Sequence, residues 1–180
     1  MSFFEKQLKS EMVYRGRIVN VRRDEALLQN GNVADREVVE HSGGVGIIPV
    51  TSDNEILMVR QFRYPMAREL LEIPAGKLAV GEDPFDCAVR ELSEETGCTA
   101  GKYVFLGAIF PSPGYCDEIL HLYLALDLEY GQAHLDENEL LSVEKVSIDK
   151  LVEMIMKNDL PDAKSIIGIM KAREYLGVRI

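Results

Sequence analysis

The sequence has no tryptophan, three cysteines, three histidines, and 20 basic residues against 30 acidic ones. Each shortage excludes a class of function. Cys87, Cys98 and Cys116 are scattered and odd in number, with no CxxC pair. Free thiols are therefore expected, and a disulfide framework or a thiolate zinc site is not. His41, His121 and His134 are too few for a multi-histidine metal centre. A net charge of −10 discourages binding to a nucleic-acid backbone, so no nucleic-acid partner is expected. No apolar run approaches the roughly 20 residues that span a bilayer. The opening MSFFEKQLKSEM lacks a signal-peptide core. Together these predict a cytoplasmic protein with no membrane partner.

What is present is a globular composition, 47% apolar over 180 residues, enough for one packed domain with an appendage. RIVNVRRDEALLQ and VADREVVEH flank Asn30-Gly31, the strongest turn signal in the chain, and predict a hairpin over residues 17–40. Strands are expected at 45–50, 55–62, 70–75, 103–110 and 118–126. VEKVS reads as a short strand after an acidic loop at 131–142, and helices are expected near 148–157 and 161–176. From Pro84 to Thr96 the period changes to that of a helix, with Phe85, Ala88, Val89 and Leu92 on one face. Asp83 is placed as its N-cap, Pro84 at its first position and Gly97 at its stop. The order predicts an α/β protein, a mixed sheet between helices in three α/β/α layers. An N-terminal β region, 1–42, is expected to stand beside a main domain, 43–180.

On the predicted helix Glu91 and Glu95 stand one turn apart on one face, with Glu94 beside them. Unit charges about 4 Å apart in a cleft repel by roughly 4 kcal/mol at an effective dielectric near 20. Charge alone leaves two readings level: a solvated acidic face, or carboxylates gathered for a hard cation such as Mg²⁺ or Mn²⁺. Arg90, four residues before Glu94, is placed to pair with it.

Spacing separates the two. Gly76, Glu82, Arg90, Glu91, Leu92, Glu94, Glu95, Gly97 and Cys98 fit the pattern G-x5-E-x7-R-E-U-x-E-E-x-G-U, where U is a bulky apolar residue. The sequence thus resembles the Nudix hydrolases, which implies a loop–helix–loop and metal-assisted hydrolysis of a diphosphate. REVVEHSGGVGIIPV, RQFRYPMARELLEIPAGKL, FPSPGYCDE and LPDAKSIIGIMKA are similar to the ADP-ribose pyrophosphatase branch, with Pro113 sixteen residues beyond Gly97.

The resemblance implies a set of roles. Glu91, Glu95, the carbonyl of Ala75 and Glu139 would hold Mg²⁺, with Mn²⁺ as a substitute. Glu137 would be the general base, a role open to exchange with Glu139, and Glu94 and Arg90 would belong to the catalytic group. Ile18, Val19, Arg36, Arg63, Lys77, Ser112, Pro113, Gly114 and Glu118 would bind a nucleoside diphosphate sugar. A metal near a diphosphate neutralises its oxygens, a carboxylate can take the proton of water, and arginine suits phosphate. The branch often holds adenine with N-terminal aromatics; this strand has Ile18 and Val19, with Tyr14 nearest. The resemblance further implies a homodimer formed through the N-terminal hairpin. The expected reaction is hydrolysis of ADP-ribose to AMP and ribose 5-phosphate. The alternatives are another nucleoside diphosphate sugar, or a ligand-binding module without catalysis.

Overall fold

The computed structural model describes residues 3–134 and 140–177. The chain divides into two compact units, 1–43 with 110–119, and 44–109 with 120–180.

The first unit is a three-stranded antiparallel sheet, β1 (Glu5–Arg15), β2 (Asn20–Leu28) and β3 (Val33–Glu40), in the order β1-β2-β3. The expected hairpin is β2–β3, closed at Asn30-Gly31 by Leu28 N–H to Asn32 O at 2.8 Å. No strand is expected before residue 17, yet β1 pairs with β2 from Glu5 to Arg15. Ten of its eleven residues are exposed, so it lacks the in–out alternation that marks a half-buried strand. The segment 110–119 lies along β3. Val39 N–H donates to Tyr115 O at 2.7 Å, and Asp117 N–H to Val39 O at 3.1 Å.

The second unit is an α/β sandwich. β4 (Gly44–Pro49), β7 (Ala75–Lys77), β8 (Cys98–Ile109) and β9 (Leu120–Tyr130) form a mixed sheet, ordered β7-β4-β9-β8, with β4 and β9 parallel. β5 (Glu55–Arg63), β6 (Arg68–Glu72) and β10 (Leu141–Ser147) form an antiparallel sheet, ordered β10-β5-β6. The expected run at 70–75 is split at Ile73-Pro74, where the chain passes from one sheet to the other. Pro74 has no N–H to give a ladder.

The helices are α1 (Pro84–Thr96), α2 (Ile148–Met156) and α3 (Ala163–Leu176). β4 explains how they are shared out, because successive side chains point to opposite faces. Val45 and Ile47 pack with Cys87, Ala88 and Leu92 of α1. Ile48 packs with Leu151 and Val152 of α2 and Ile169 and Ala172 of α3. One apolar strand thus supplies two cores, which gives the layered α/β/α arrangement. Among the described residues no helix is long and apolar enough to cross a membrane.

Ile48 is fully buried against Gly168 of α3, where even a methyl group would meet its side chain at 3.0 Å. Ile48→Ala should therefore lose about 2–5 kcal/mol of stability in denaturant unfolding. A loss below about 1 kcal/mol would contradict the core described.

Candidate active site

α1 starts and stops where its sequence dictates. Asp83 accepts from Phe85 N–H at 2.8 Å, a cap worth about 1 kcal/mol. Gly97 closes the helix at φ 69°, donating to Ser93 O at 2.9 Å. A Cβ there would meet the backbone of Gln132 and Ala133 within 2.8 Å, so only glycine fits.

The buried face of α1 differs from the expected apolar stripe. Cys87, Ala88 and Leu92 are buried, but Phe85 is 43% exposed and Val89 half-buried. Phe85 sits edge-on to Tyr103, with centroids 5.3 Å apart. The remainder of the buried face is Glu91 and Glu95. The acidic cluster is therefore turned inward, and the reading as a solvated face is excluded for these two. Burying an ion costs several kcal/mol unless partners replace water. Glu95, 2% exposed, accepts a hydrogen bond from Ala75 N–H at 3.0 Å. The Glu91 carboxyl lies directly on the α-carbon of Gly76, in the place any β-carbon would take.

Arg90 holds the group together. Its Nε and Nη2 reach Glu82 at 2.9 and 3.1 Å, and Nη1 donates to Glu91 at 2.7 Å and Glu94 at 2.8 Å. The fork of Arg90 and the N–H of Ala79 hold the Glu82 carboxyl down to about 2. Glu94 stays at the rim. Cys87 touches Arg90 as well, but burial pushes its thiol up to about 12, so it stays neutral.

The other expected site residues of this unit fall around the helix. Lys77 is exposed beside Gly76. Arg63 closes its fork on Glu72 at 2.7 and 2.6 Å, an ion pair sequence reasoning missed because strand register sets Arg63 opposite Arg68 and Glu72 opposite Val59. Glu137 and Glu139 lie outside the described residues. The stem before them is tied to α1: Gly131 N–H donates to Gly97 O at 2.7 Å and His134 N–H to Glu94 O at 3.0 Å.

In the first unit, Ser112-Pro113-Gly114 forms a tight turn in which Ser112 O accepts from the N–H groups of Tyr115 and Cys116. Arg36 is paired with Glu5 at 2.9 and 2.7 Å, Glu118 lies 3.3 Å from His41, Ile18 is exposed and Val19 half-buried. A cavity of about 530 Å³ has Arg36, Pro113 and Gly114 in its lining, together with Asp24, Phe110 and Ile119. Asp24 is a residue the sequence analysis did not single out. It is 6% exposed, and its Oδ1 is buried with no hydrogen-bond partner among the described residues. The available signal was its phase: it falls on the same face of β2 as buried Ala26.

Residues 40–167 match the NUDIX domain family. The chain belongs to the Nudix family. Residues 5–39 match the nucleoside diphosphate sugar hydrolase N-terminal domain. The chain is 39% identical to the ADP-ribose pyrophosphatase of Bacillus subtilis (93% of this chain, 92% of that one). It is 40% identical to the methanol dehydrogenase activator of Bacillus methanolicus (93% and 91%). A crystal structure of an ADP compounds hydrolase shares the fold, with a TM-score of 0.85 at 24% identity over 96% of this chain and 94% of that one.

As a Nudix hydrolase the chain has an enzyme's box, and its residues fit a divalent cation. Two buried carboxylates with neither imidazole nor active thiol describe a hard-cation donor set. The Gly76 cradle keeps one of them against the backbone. Among the described residues no three His, Cys, Asp or Glu side chains are grouped so that they could hold a metal ion.

The atoms nearest a Cβ at residue 76 all belong to the Glu91 side chain. Gly76→Ala should therefore keep its thermal midpoint within a few degrees yet lose about 100-fold in hydrolytic rate, the scale of a 1 Å misplacement. An unaffected rate would remove Glu91 from the site. Glu82 has a depressed carboxyl, so the stability it adds is complete above about pH 4.3 and is lost as pH falls toward 2. Unfolding followed from pH 5 to 2 should show a shallower loss in Glu82→Gln than in the wild type.

Proposed function

We propose that the chain is a Mg²⁺-dependent diphosphatase that hydrolyses ADP-ribose to AMP and ribose 5-phosphate. The observation that carries this is the inward turn of Glu91 and Glu95 onto the backbone at Ala75-Gly76, with Arg90 bracing them from outside. The 39% identity to a protein named ADP-ribose pyrophosphatase supports the substrate.

Glu91, Glu95 and the Ala75 carbonyl would hold the cation, joined by Glu139. When bound, the cation (Mg²⁺, or Mn²⁺ in its place) neutralises diphosphate oxygens and orients the attacking water. Glu137 takes the proton of that water as its oxygen attacks one phosphorus and the bridging P–O bond breaks. Gly131 and His134, which precede Glu137 in sequence, are tied to Gly97 and Glu94. Glu94 and Arg90 keep the box carboxylates in register, and Lys77 offers charge for the phosphates. In the first unit Arg36, Ser112, Pro113, Gly114 and Glu118 would contact the substrate, with Ile18 and Val19. This gives residues 1–42 a substrate role and residues 43–180 the catalytic one. The exposed strand β1 supports a homodimer built through the same region, and we place the enzyme in the cytoplasm.

A second reading keeps the chemistry and changes the sugar nucleotide. It is favoured by the family matched at residues 5–39 and by a 28% identical relative named GDP-mannose pyrophosphatase.

Incubation with ADP-ribose and Mg²⁺ should release AMP and ribose 5-phosphate, with chelator or Glu95→Gln reducing the rate at least about 100-fold. Turnover of GDP-mannose or UDP-glucose without turnover of ADP-ribose would replace the first reading with the second. No turnover of any of them would sink both.

A further inference from the structure

The segment 72–75 is held at every residue, and from four different elements. Glu72 is buried to 1% and takes the Arg63 fork as well as Lys164 Nζ from the first turn of α3. Ile73 N–H donates to the buried Ser165 Oγ at 2.9 Å, also from that turn. Pro74 O accepts from Ile47 N–H of β4 at 2.8 Å, and Ala75 N–H donates to Glu95 of α1 at 3.0 Å.

The turn of α3 is itself locked. Asp162 caps it, accepting from Ser165 N–H at 3.0 Å and from Ser165 Oγ at 2.5 Å, and takes Lys164 Nζ at 3.0 Å. Lys164 and Arg63 therefore balance Glu72 and Asp162, two cations against two carboxylates. Burial alone would raise the Glu72 carboxyl, but Arg63 and Lys164 outweigh it and hold it below the usual value. The cluster is charged, neutral in sum and centred on a carboxylate that is 1% exposed, the condition in which removing one member disturbs the others.

We propose that Lys164 is a positioning residue for the metal site, acting with Ser165 through the strand end that presents Ala75 and Gly76. Lys164 pairs with Glu72 and Asp162. It fixes Glu72, Ser165 fixes Ile73, and two residues further on the backbone meets Glu95. Loss of the ammonium leaves Glu72 and Asp162 with one cation between them, and the strand end shifts to relieve them. Arg63, whose guanidinium feels both Asp162 and Glu95, moves with it. This inference rests on the reading of Glu91, Glu95 and the Ala75 carbonyl as the cation's ligands.

The test is Mn²⁺ binding by calorimetry, which needs no turnover, on the full chain and on Lys164→Met, Lys164→Arg, Ser165→Ala, Glu95→Gln and Lys150→Met. Lys150 pairs with Glu153 on the exposed face of α2 and serves as the control. Partners behind metal ligands typically change affinity 10–100-fold. Lys164→Met should therefore weaken Mn²⁺ by about 10-fold, Ser165→Ala should shift it the same way, and Lys164→Arg should recover most of the loss. Lys150→Met should bind as the wild type does. Unchanged Mn²⁺ affinity in Lys164→Met, with Glu95→Gln weakened, overturns the positioning role and leaves the metal site standing. Should Lys164→Met not fold, unchanged affinity in Ser165→Ala overturns it equally. Wild-type affinity in Glu95→Gln would overturn the ligand reading, and the inference with it.

Discussion

Burying two carboxylates of one helix against a strand is the constraint around which the second unit is built. Neither glutamate could leave water alone, since an unpaired buried charge costs several kcal/mol. Each is met by a partner fixed elsewhere. Glu95 is received by the backbone N–H of Ala75, and Glu91 by Arg90 and by the open α-carbon of Gly76. That requirement explains why the chain leaves the antiparallel sheet at Ile73-Pro74 and begins β7 at Ala75, on the strand beside β4 that faces α1.

Arg90 shows how charge is apportioned around this pair. One guanidinium serves three carboxylates, and two of its nitrogens reach Glu82, on the loop before the helix. The loop is thereby closed onto the helix, and the acids that point inward are kept apart from those that stay in water. The same economy recurs at Glu72, where Arg63 and Lys164 converge on one buried carboxylate. A protein with ten more acidic than basic residues places its cations where they hold carboxylates in position.

Much of this was legible in the sequence because it depends on short-range rules. The ends of α1 follow from Asp83, Pro84 and Gly97, and the hairpin turn from Asn30-Gly31. Helices on both faces follow from the order of strands and helices along the chain. The Nudix pattern was also legible, since its spacing is set by one loop and one helix. β1 was not, because an exposed strand has no alternation to reveal it. The burial of Glu91 and Glu95 in place of Phe85 and Val89 was not either, because helical period groups residues by face without saying which face meets the sheet.

By itself the sequence determined the local elements, the box and its register, and hence the family. The pairing of residues far apart in the chain was decided by the tertiary structure alone. Ala75 meets Glu95, Arg63 and Lys164 meet at Glu72, and segment 110–119 joins the N-terminal strands. The reason is physical. Hydrogen bonds and ion pairs within one turn or one strand are dictated by backbone geometry, which each residue carries locally. Those between elements form only where packing of the apolar cores has already brought two surfaces within about 3 Å, and no local pattern encodes that distance.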